Sequence, residues 1–247
     1  MAPTEQVLVF DLNGTLLDLG VLDAPFEQLF GRTSARQEWF GLLETLWMTD
    51  LLTNAYHPFE DLAQAALRML VERWGVHKPV VEQEAAEASV VGKLVHAAAD
   101  ALDVYVPTHE ESAIMDGLKA LPPFPDVRAG LARLRQAGYQ MAALTNGTLS
   151  AAETLLRRAD LSDFFETVLS VDSVKRFKPA PEAYAYAANQ LQVAIGNVCL
   201  VAAHPWDIAG AKAAGCQTVF VRRPGQVLNP EGPTPDRQVA SLLDLLP

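Results

Sequence analysis

Short runs of consecutive apolar residues recur along the chain, and each ends close to polar residues. The first run, 7–10, reads Val-Leu-Val-Phe and is followed at once by Asp11. An unbroken run of this kind is typical of a strand whose two faces are both covered by helices. Four further runs lie at 140–144, 167–171, 197–201 and 218–221. The pattern therefore predicts five strands of a buried parallel sheet.

Segments of helical length separate the later strands. They lie at 126–137, 150–159, 181–191 and 208–214, and Gly138 and Gly215 follow two of them. Glycine is suited to the left-handed conformation in which helices commonly end. Strand and helix thus alternate through the second half of the chain, which is the pattern of right-handed βαβ units. We predict an α/β fold built on a parallel sheet.

The stretch after the first strand differs, because it has helical patterns and almost no strand signal. Helices are predicted at 34–53, at 59–74, and from a capping box at Thr108 and Glu111 through Lys119. Three prolines between 122 and 125 then mark a domain edge. We predict that residues 17–121 form an all-helical domain inserted after the first strand, and that 1–16 and 122–247 form the core.

The composition fits a globular protein with one full core and a smaller appended domain. Of the 247 residues, 50% are hydrophobic, and 15 glycines and 16 prolines exclude a collagen-like or low-complexity chain. The net charge of −11 disfavours nucleic acid and anionic membrane surfaces as partners. No apolar run is long enough to cross a bilayer, and residues 1–5 do not begin a signal peptide. We expect a cytoplasmic protein that binds a small molecule, with Cys199 and Cys216 as buried thiols.

Polar side chains collect where the predicted strands end. In an open parallel sheet the carboxyl ends of the strands form the ligand site. Four separate parts of the chain would bring together a carboxylate, amides, hydroxyls, an ammonium and an imidazole there. These residues are Asp11, Asn13, Thr15, Thr145, Asn146, Lys178, His204, Trp206 and Asp207.

These residues fall into four motifs that resemble the ordered motifs of the haloacid dehalogenase superfamily. The motifs are Phe-Asp-Leu-Asn-Gly-Thr-Leu at 10–16, Leu-Thr-Asn-Gly at 144–147, Lys-Pro at 178–179 and Trp-Asp-Ile-Ala-Gly-Ala at 206–211. The resemblance implies a Rossmann-like core, an aspartate nucleophile at Asp11 and an active site beneath a helical cap. The inserted helical stretch lies where that family places its cap.

The charges within the motifs favour one subgroup of this superfamily. Its phosphatases use Mg²⁺, which prefers carboxylate oxygens as ligands. They carry a second aspartate two residues after the nucleophile and another directly after the strand of the last motif. This chain has Asn13 and Ala202 at those positions. The motifs are more similar to the L-2-haloacid dehalogenases, so we expect no metal and no other cofactor.

The resemblance implies that Asp11 displaces halide from C2 of a haloalkanoate, forming an ester that water hydrolyses. Lys178 would keep Asp11 ionised beside the leaving group. Thr145 and Asn146, with the amide of Asn13, would bind the carboxylate and the halide of the substrate. Each of these residues also has an ordinary interpretation, as a turn residue or, for Lys178, as a solvated surface lysine.

The last motif leaves two candidates for the activation of water. Asp207 either orients Lys178 or activates the water, but pairing with Lys178 would depress the pKa of Asp207 and make it a poor base. His204 stands where the dehalogenases usually have asparagine, and an imidazole is a suitable base near neutral pH. A hydrogen-bonded structural histidine is the alternative. Trp206 either walls the halide pocket or packs in the core.

The cap lacks an expected cation. Related dehalogenases place an arginine facing the halide on the first long cap helix, and matching Glu44 and Trp47 to that helix puts Trp39 at its position. Arg36 lies one turn earlier, on roughly the same face, and is the first candidate to replace it; Arg32 is the second. Both are otherwise solvated surface arginines. We expect Trp39, with Phe40 and Trp47, to line the pocket or to pack in the core.

The sequence thus predicts a metal-independent dehalogenase of short 2-haloacids, with haloacid and halide as ligands and a possible homodimer. Two alternatives stay open. The first is a Mg²⁺-dependent phosphatase of small phosphomonoesters, against which Asn13 and Ala202 count. The second is a catalytically silent binding protein, against which the retention of both Asp11 and Lys178 counts.

Overall fold

The computed structural model describes residues 6–76 and 108–246. Its core is a six-stranded sheet in which every neighbouring pair of strands is parallel, in the order β3-β2-β1-β4-β5-β6. The strands are β1 (Val7–Phe10), β2 (Gln140–Thr145), β3 (Thr167–Ser170), β4 (Val198–Ala202), β5 (Gln217–Val221) and β6 (Arg237–Val239). The predicted α/β fold with a buried parallel sheet is confirmed.

Helices surround this sheet and form the segment inserted after β1. Within the described residues, that segment contains α1 (Asp23–Phe30), α2 (Ala35–Thr53), α3 (Phe59–Trp74) and α4 (His109–Leu118). The helices of the core are α5 (Val127–Gln136), α6 (Leu149–Arg158), α7 (Pro181–Leu191) and α8 (Pro205–Ala214). The predicted capping box at the start of α4 is present, with Thr108 and Glu111 each bonding the backbone of the other. The part of the predicted cap at 77–107 lies outside the described residues.

The central strand fixes the position of the site. All four residues of β1 are buried, and Phe10 pairs with Ala143 of β2 on one side and with Val201 of β4 on the other. The chain moves to one side of β1 for β2 and β3 and to the other side for β4, so the direction of winding reverses at β1. Ligands of open α/β sheets bind at such a switch point, outside the carboxyl ends of the strands.

The inserted segment leaves and rejoins the core at adjacent points. Leu17 forms an isolated antiparallel bridge with Pro123, and the amide of Asp18 donates to the carbonyl of Pro122. The amide of Phe124 donates in turn to the carbonyl of Leu16. The proline-rich stretch is therefore where the returning chain pairs with the departing one.

Two details differ from the sequence predictions. β6 was not predicted, because a strand of three residues, two of them the polar Arg237 and Gln238, has no apolar run. Helix α8 begins at Pro205, three residues before the predicted start. Proline at the first helical position costs no hydrogen bond, so the helix starts there and carries Trp206 and Asp207 in its first turn.

The two cysteines of the chain lie in the core. Cys199 and Cys216 are both free and buried, and burial raises their pKa values to about 11 and about 12. This agrees with the prediction that both are buried thiols. Across the described ranges, the structure contains no helix whose length and hydropathy would let it cross a membrane.

Close packing of α8 against the loop before α7 should make Gly210 irreplaceable. A Cβ atom there would lie 2.4 Å from Pro179 Cβ and 2.5 Å from Pro179 O. We expect Gly210→Ala to lower the free energy of unfolding by about 1–3 kcal/mol or more, as overpacking does. The matched control is Gly41→Ala on α2, where a Cβ meets nothing within 4 Å. That change should stabilise the helix by roughly 0.5–1 kcal/mol. Urea unfolding of both variants checks this, and a loss of stability at both glycines would contradict it.

Candidate active site

Asp11 lies directly after β1 and is 5% exposed. Its Oδ1 accepts a hydrogen bond of 2.8 Å from Lys178 Nζ. Its Oδ2 accepts a bond of 2.6 Å from Thr15 Oγ1 and lies 3.1 Å from His204 Nδ1. Both oxygens of one carboxylate are therefore held, each by different groups, at the carboxyl edge of the sheet.

The turn after Asp11 brings two further groups against it. The hydroxyl of Thr15 is fixed, since it also accepts a 2.9 Å bond from the amide of Ala203. Gly14 has φ +78°, and a Cβ there would lie 2.9 Å from both Cε1 and Nε2 of His204. Only glycine combines this left-handed backbone with so close an approach of the imidazole. The glycine of the first motif thus makes room for His204.

Lys178 is the centre of a buried cluster of charges. The residue is 0% exposed, and Nζ donates to Asp11 Oδ1 and, at 2.7 Å, to Asp207 Oδ2. Its backbone is held by Asn146, whose Oδ1 accepts from the Lys178 amide at 2.8 Å and whose Nδ2 donates to the Lys178 carbonyl at 3.3 Å. Both polar atoms of the Asn146 side chain therefore hydrogen-bond the backbone of Lys178 and fix its position.

Asp207 is held from behind by a tyrosine. Tyr184 is buried on α7, and its hydroxyl donates to Asp207 Oδ1 at 2.6 Å. Asp207 is itself 0% exposed, so its two carboxylate oxygens are committed to Lys178 and Tyr184. Sequence reasoning missed Tyr184, because a tyrosine in an apolar helix reads as an ordinary core residue.

The charges of this cluster shift one another's titration. Burial alone would raise the pKa of Asp11, but the ammonium of Lys178 and the bond from His204 outweigh it and hold that pKa far below its usual range. Burial opposes the charge of Lys178, yet the two carboxylates raise its pKa above the ordinary value. Burial, with the charge of Asp11, raises the pKa of Asp207. This last shift is opposite to the expected depression, because desolvation outweighs the pairing with Lys178.

His204 lies between two aromatic rings from different parts of the molecule. Phe40 of α2 stacks on one side, with ring centroids 5.6 Å apart, and Trp206 of α8 on the other, 5.0 Å apart. Because Asp11 is ionised, the bond to its Oδ2 requires that Nδ1 of His204 carry the proton. Nε2 is buried and has no hydrogen-bond partner among the described residues, and the same holds for Asn13 Oδ1. When His204 is neutral, Nε2 and Asn13 Oδ1 are therefore two buried acceptors near Asp11 that a ligand could meet.

The inserted helices reach the core through a few polar contacts. Trp206 Nε1 donates to Glu44 Oε1 of α2 at 2.7 Å, and burial raises the pKa of that carboxyl. Tyr56 donates to Asp172 Oδ1 at 3.0 Å, and Thr148 Oγ1 donates to Glu60 Oε1 of α3 at 3.0 Å. These contacts surround the site and hold the helical segment over it.

Two cavities adjoin at this interface. A small chamber of about 20 Å³ reaches Asp11. Its lining consists of Asp11, Asn13, Phe40, Trp47, Phe59, Thr145, Asn146, Gly147, His204 and Trp206. A larger cavity of about 360 Å³ lies beside it and shares Asn13, Phe59, Thr145 and Gly147 with the chamber. Asn13 therefore belongs to both.

The structure brings most of the sequence-predicted residues together. Asp11, Asn13, Thr145, Asn146, His204 and Trp206 line the chamber, and Lys178 and Asp207 lie directly behind Asp11. Phe40 and Trp47 line it too, as the aromatic pattern of α2 indicated. Phe59 was not predicted to belong to the site, Glu44 served only to match the cap helix, and Thr15 was placed at the sheet edge without a role.

Arg36 and Trp39 are not among the residues that line the chamber. Nε of Arg36 donates to Asp23 Oδ1 at 2.5 Å, and Trp39 Nε1 donates to the carbonyl of Ala63 at 3.0 Å. Successive residues of a helix are rotated by about 100°, so Trp39 faces α1 and α3 when Phe40 faces the site. Arg32 lies 3.7 Å above the ring of Trp74 and is likewise turned away. The expected cap cation is thus absent from the lining of the chamber.

The donor set at this edge does not fit a magnesium ion. Ala202, at the end of β4, offers no side-chain ligand, and Asn13 offers only an amide oxygen. The oxygens of Asp11 already accept from Lys178, Thr15 and His204. Among the described residues there is no cluster of three or more His, Cys, Asp or Glu side chains that could hold a metal. Mg²⁺ prefers several oxygen ligands in octahedral geometry, and this edge does not supply them.

Comparison with known proteins agrees with the fold and the motifs. A family model described as haloacid dehalogenase-like hydrolase matches residues 5–215, and the chain belongs to this family. It is 36% identical over 237 residues to haloacetate dehalogenase H-2 of Moraxella sp. strain B, covering 94% of this chain and 92% of that one. The solved L-2-haloacid dehalogenase RSc1362 superposes with a TM-score of 0.80 at 28% identity, covering 97% and 96% of the two chains.

A phosphatase relative matches over a shorter region. The plasmid phosphoglycolate phosphatase of Cupriavidus necator is 37% identical over 123 residues, which is 50% of this chain and 53% of that one. The chain is therefore a hydrolase of this family that is most similar, over its whole length, to 2-haloacid dehalogenases.

Removing the central ammonium should destabilise the protein in a pH-dependent way. In Lys178→Met, two buried carboxylates lose their partner, so we expect a loss of about 3–5 kcal/mol in the free energy of unfolding near pH 8. Burial and mutual repulsion then raise the pKa values of Asp11 and Asp207 in the folded state. Groups of this kind stabilise the fold at low pH and lose that effect as the pH rises through their folded pKa values.

The difference in the free energy of unfolding between Lys178→Met and the wild type should therefore become smaller as the pH is lowered from 8 to about 5. Urea unfolding at each pH measures it. Lys175→Met is the control, since the Lys175 side chain is 58% exposed and pairs only with Asp172 among the described carboxylates. A difference in the free energy of unfolding that does not change with pH would contradict the role of Lys178 as the partner of both carboxylates.

Proposed function

We propose that this protein hydrolyses the carbon–halogen bond of short 2-haloalkanoic acids, without a metal, through an ester on Asp11. The observation that carries the proposal is a carboxylate kept ionised by a buried ammonium at the wall of a small aromatic chamber. An ionised carboxylate at the wall of a buried chamber is a nucleophile suited to displacement at carbon. The names of the full-length relatives, a haloacetate dehalogenase and an L-2-haloacid dehalogenase, point to the same substrates.

The first step forms the ester. The Asp11 oxygen that accepts only from Lys178, Oδ1, attacks C2 of the substrate, and the halide leaves with the electron pair of its bond. Oδ2 becomes the carbonyl oxygen of the ester and keeps the donors Thr15 and His204. Thr145 Oγ1 accepts from the amide of Gly147 at 3.0 Å, which leaves its proton free for the carboxylate of the substrate.

The second step cleaves the ester with water. Water attacks Cγ of Asp11, and the negative charge that develops on Oδ2 lies between the donors Thr15 and His204, as in an oxyanion hole. The bond from Cγ to Oδ1 breaks, so the hydroxyl oxygen of the product comes from Asp11 and the water oxygen replaces it. Lys178, which contacts Oδ1, gives the departing alkoxide a proton and regains one from the new hydroxyl on Cγ, so Asp11 is again a carboxylate. The proton that the base takes from the attacking water is released to solvent.

His204 is the base that we propose for this step. Nε2 is a buried acceptor without a partner in the described structure, and Asn13 Oδ1, one residue from Gly14, is another. A water that donates to both would be polarised and held near Asp11. Asp207 is less suited, because its two oxygens accept from Lys178 and Tyr184 and the residue is fully buried. Asp207 instead positions Lys178.

The test of the proposed function is a paired screen. Halide release is measured with chloro-, bromo- and fluoroacetate and with both enantiomers of 2-chloropropionate, beside phosphate release from small phosphomonoesters, with and without EDTA. We expect halide release that survives EDTA and is abolished in Asp11→Asn. Single turnover in H₂¹⁸O should place the label in Asp11 and not in the product. Phosphate release that needs Mg²⁺ would establish the phosphatase alternative, and inactivity toward both classes would favour the binding protein.

Removing the proposed base should separate the two chemical steps. In His204→Ala, the first displacement should survive and the hydrolysis should slow by on the order of 10²-fold or more, the usual contribution of a general base. The measurement is a burst of about one halide per enzyme, with mass spectrometry showing Asp11 alkylated.

His204→Phe serves as a packing control, because it keeps a ring between Phe40 and Trp206 but has no nitrogen. It should show the same burst as His204→Ala. Steady turnover without a burst or an adduct in both variants would make Asp207 the preferred base.

A further inference from the structure

Trp47 carries a buried donor that nothing in the described structure satisfies. The residue lies on α2, is 1% exposed and belongs to the lining of the chamber at Asp11. Its ring meets those of Trp206 and Phe40 at 5.4 Å and 6.0 Å between centroids. Its indole nitrogen, Nε1, is buried and has no hydrogen-bond partner among the described residues.

The other three indoles of the chain are all satisfied. Trp39 donates to the carbonyl of Ala63, Trp74 to Glu38 Oε2 at 3.1 Å, and Trp206 to Glu44 Oε1. Leaving a buried N–H without an acceptor costs about 1–3 kcal/mol. A buried orphan donor at the wall of a reaction chamber is therefore expected to meet its acceptor on a ligand.

The cationic side chains near the chamber are engaged elsewhere. Arg36 is paired with Asp23, Thr145 is assigned to the carboxylate of the substrate, and one N–H of the Asn146 amide bonds the Lys178 carbonyl. Lys178 lies behind Asp11, next to the attacking oxygen. A halide leaves on the side of C2 opposite to that oxygen and needs a donor where its charge develops. Of the described side chains that line the chamber, Trp47 has the buried N–H without an acceptor.

We propose that the indole N–H of Trp47 binds the departing halide, in the place that the resemblance assigns to an arginine of the cap. This rests on the proposed function and names its leaving-group site. An N–H among aromatic rings suits a large, polarisable and weakly hydrated anion, so bromide and chloride should bind better than fluoride. A carboxylate would need two or more donors at the same place.

The test removes the N–H of Trp47 in two ways. One variant has 3-benzothienylalanine at position 47, which keeps the bicyclic shape and has sulfur in place of the nitrogen. The other has phenylalanine, which removes the second ring as well. The control is the same pair of replacements at Trp39, whose N–H is satisfied within the inserted helices. Bromide binding to the whole protein is measured by the line width of ⁸¹Br NMR in sodium bromide, and the displacement step by the burst of halide release.

We expect both Trp47 variants to lose tenfold or more in bromide affinity and in the rate of the burst, and the Trp39 variants to retain both. Unchanged bromide affinity in the folded benzothienylalanine variant at position 47 would overturn the proposal, and so would an equal loss at position 39. Bromide binding that depends on Trp47, in a protein that releases halide from no haloacid, would support the anion site and refute the proposed function.

Discussion

The buried ammonium of Lys178, held between two carboxylates, is the interaction on which the site depends. Asp11 follows β1, Lys178 follows β3, and Asp207 lies in the first turn of α8, so one nitrogen joins three separate parts of the chain. Charges removed from water are tolerated only when they are paired and hydrogen-bonded. The structure meets this condition through Thr15, His204 and Tyr184, which bond the carboxylate oxygens, and through Asn146, which holds the lysine backbone. The same network that stabilises the buried charges keeps the Asp11 carboxylate ionised.

The inserted helical segment orients residues of the site as well as covering it. Phe40 of α2 stacks on His204, and Glu44 of α2 accepts from Trp206, so α2 supplies one ring neighbour of the imidazole and contacts the other. A ring held between two aromatic faces has little freedom to rotate, which keeps Nδ1 on Asp11 and Nε2 toward Gly14. The orientation of the imidazole therefore depends on contacts from both the core and the inserted helices. Any movement of α2 away from the sheet would release it.

Much of the fold and of the polar cluster could be predicted from sequence, because both follow from local rules. Buried parallel strands give apolar runs, and their carboxyl ends must meet at one edge, so Asp11, Thr145 and His204 could be brought together without coordinates. The lining of the chamber by the inserted helices could not be derived in the same way. Arg36 and Phe40 lie one turn apart on α2, yet the first pairs with Asp23 and the second reaches the site. Which carboxylate captures an arginine depends on the packing of α1 against α2, and no local pattern records it.

Tyr184 and the early start of α8 show the same limit. A buried tyrosine and a buried phenylalanine give the same apolar pattern, and the hydroxyl matters only because Asp207 lies 2.6 Å from it. The direction of the Asp207 pKa shift could not be predicted either, since pairing lowers it and desolvation raises it. Only the depth of burial decides between these two effects.

Neutral donors in place of an arginine are consistent with the charges that the structure buries. The ammonium of Lys178 already pairs with both Asp11 and Asp207, and Asp11 is the carboxylate among the described residues that line the chamber. A guanidinium in the chamber would have no second buried carboxylate of its own, because Asp11 is engaged and Glu44 accepts from Trp206. Its desolvation would not be offset until substrate arrived. An indole N–H is a dipole that loses far less on burial, and in a chamber of low polarity its attraction for a developing halide is strengthened. The pairing of Arg36 with Asp23 and the N–H of Trp47 at the chamber are therefore both consistent with the cost of burying an unpaired cation there.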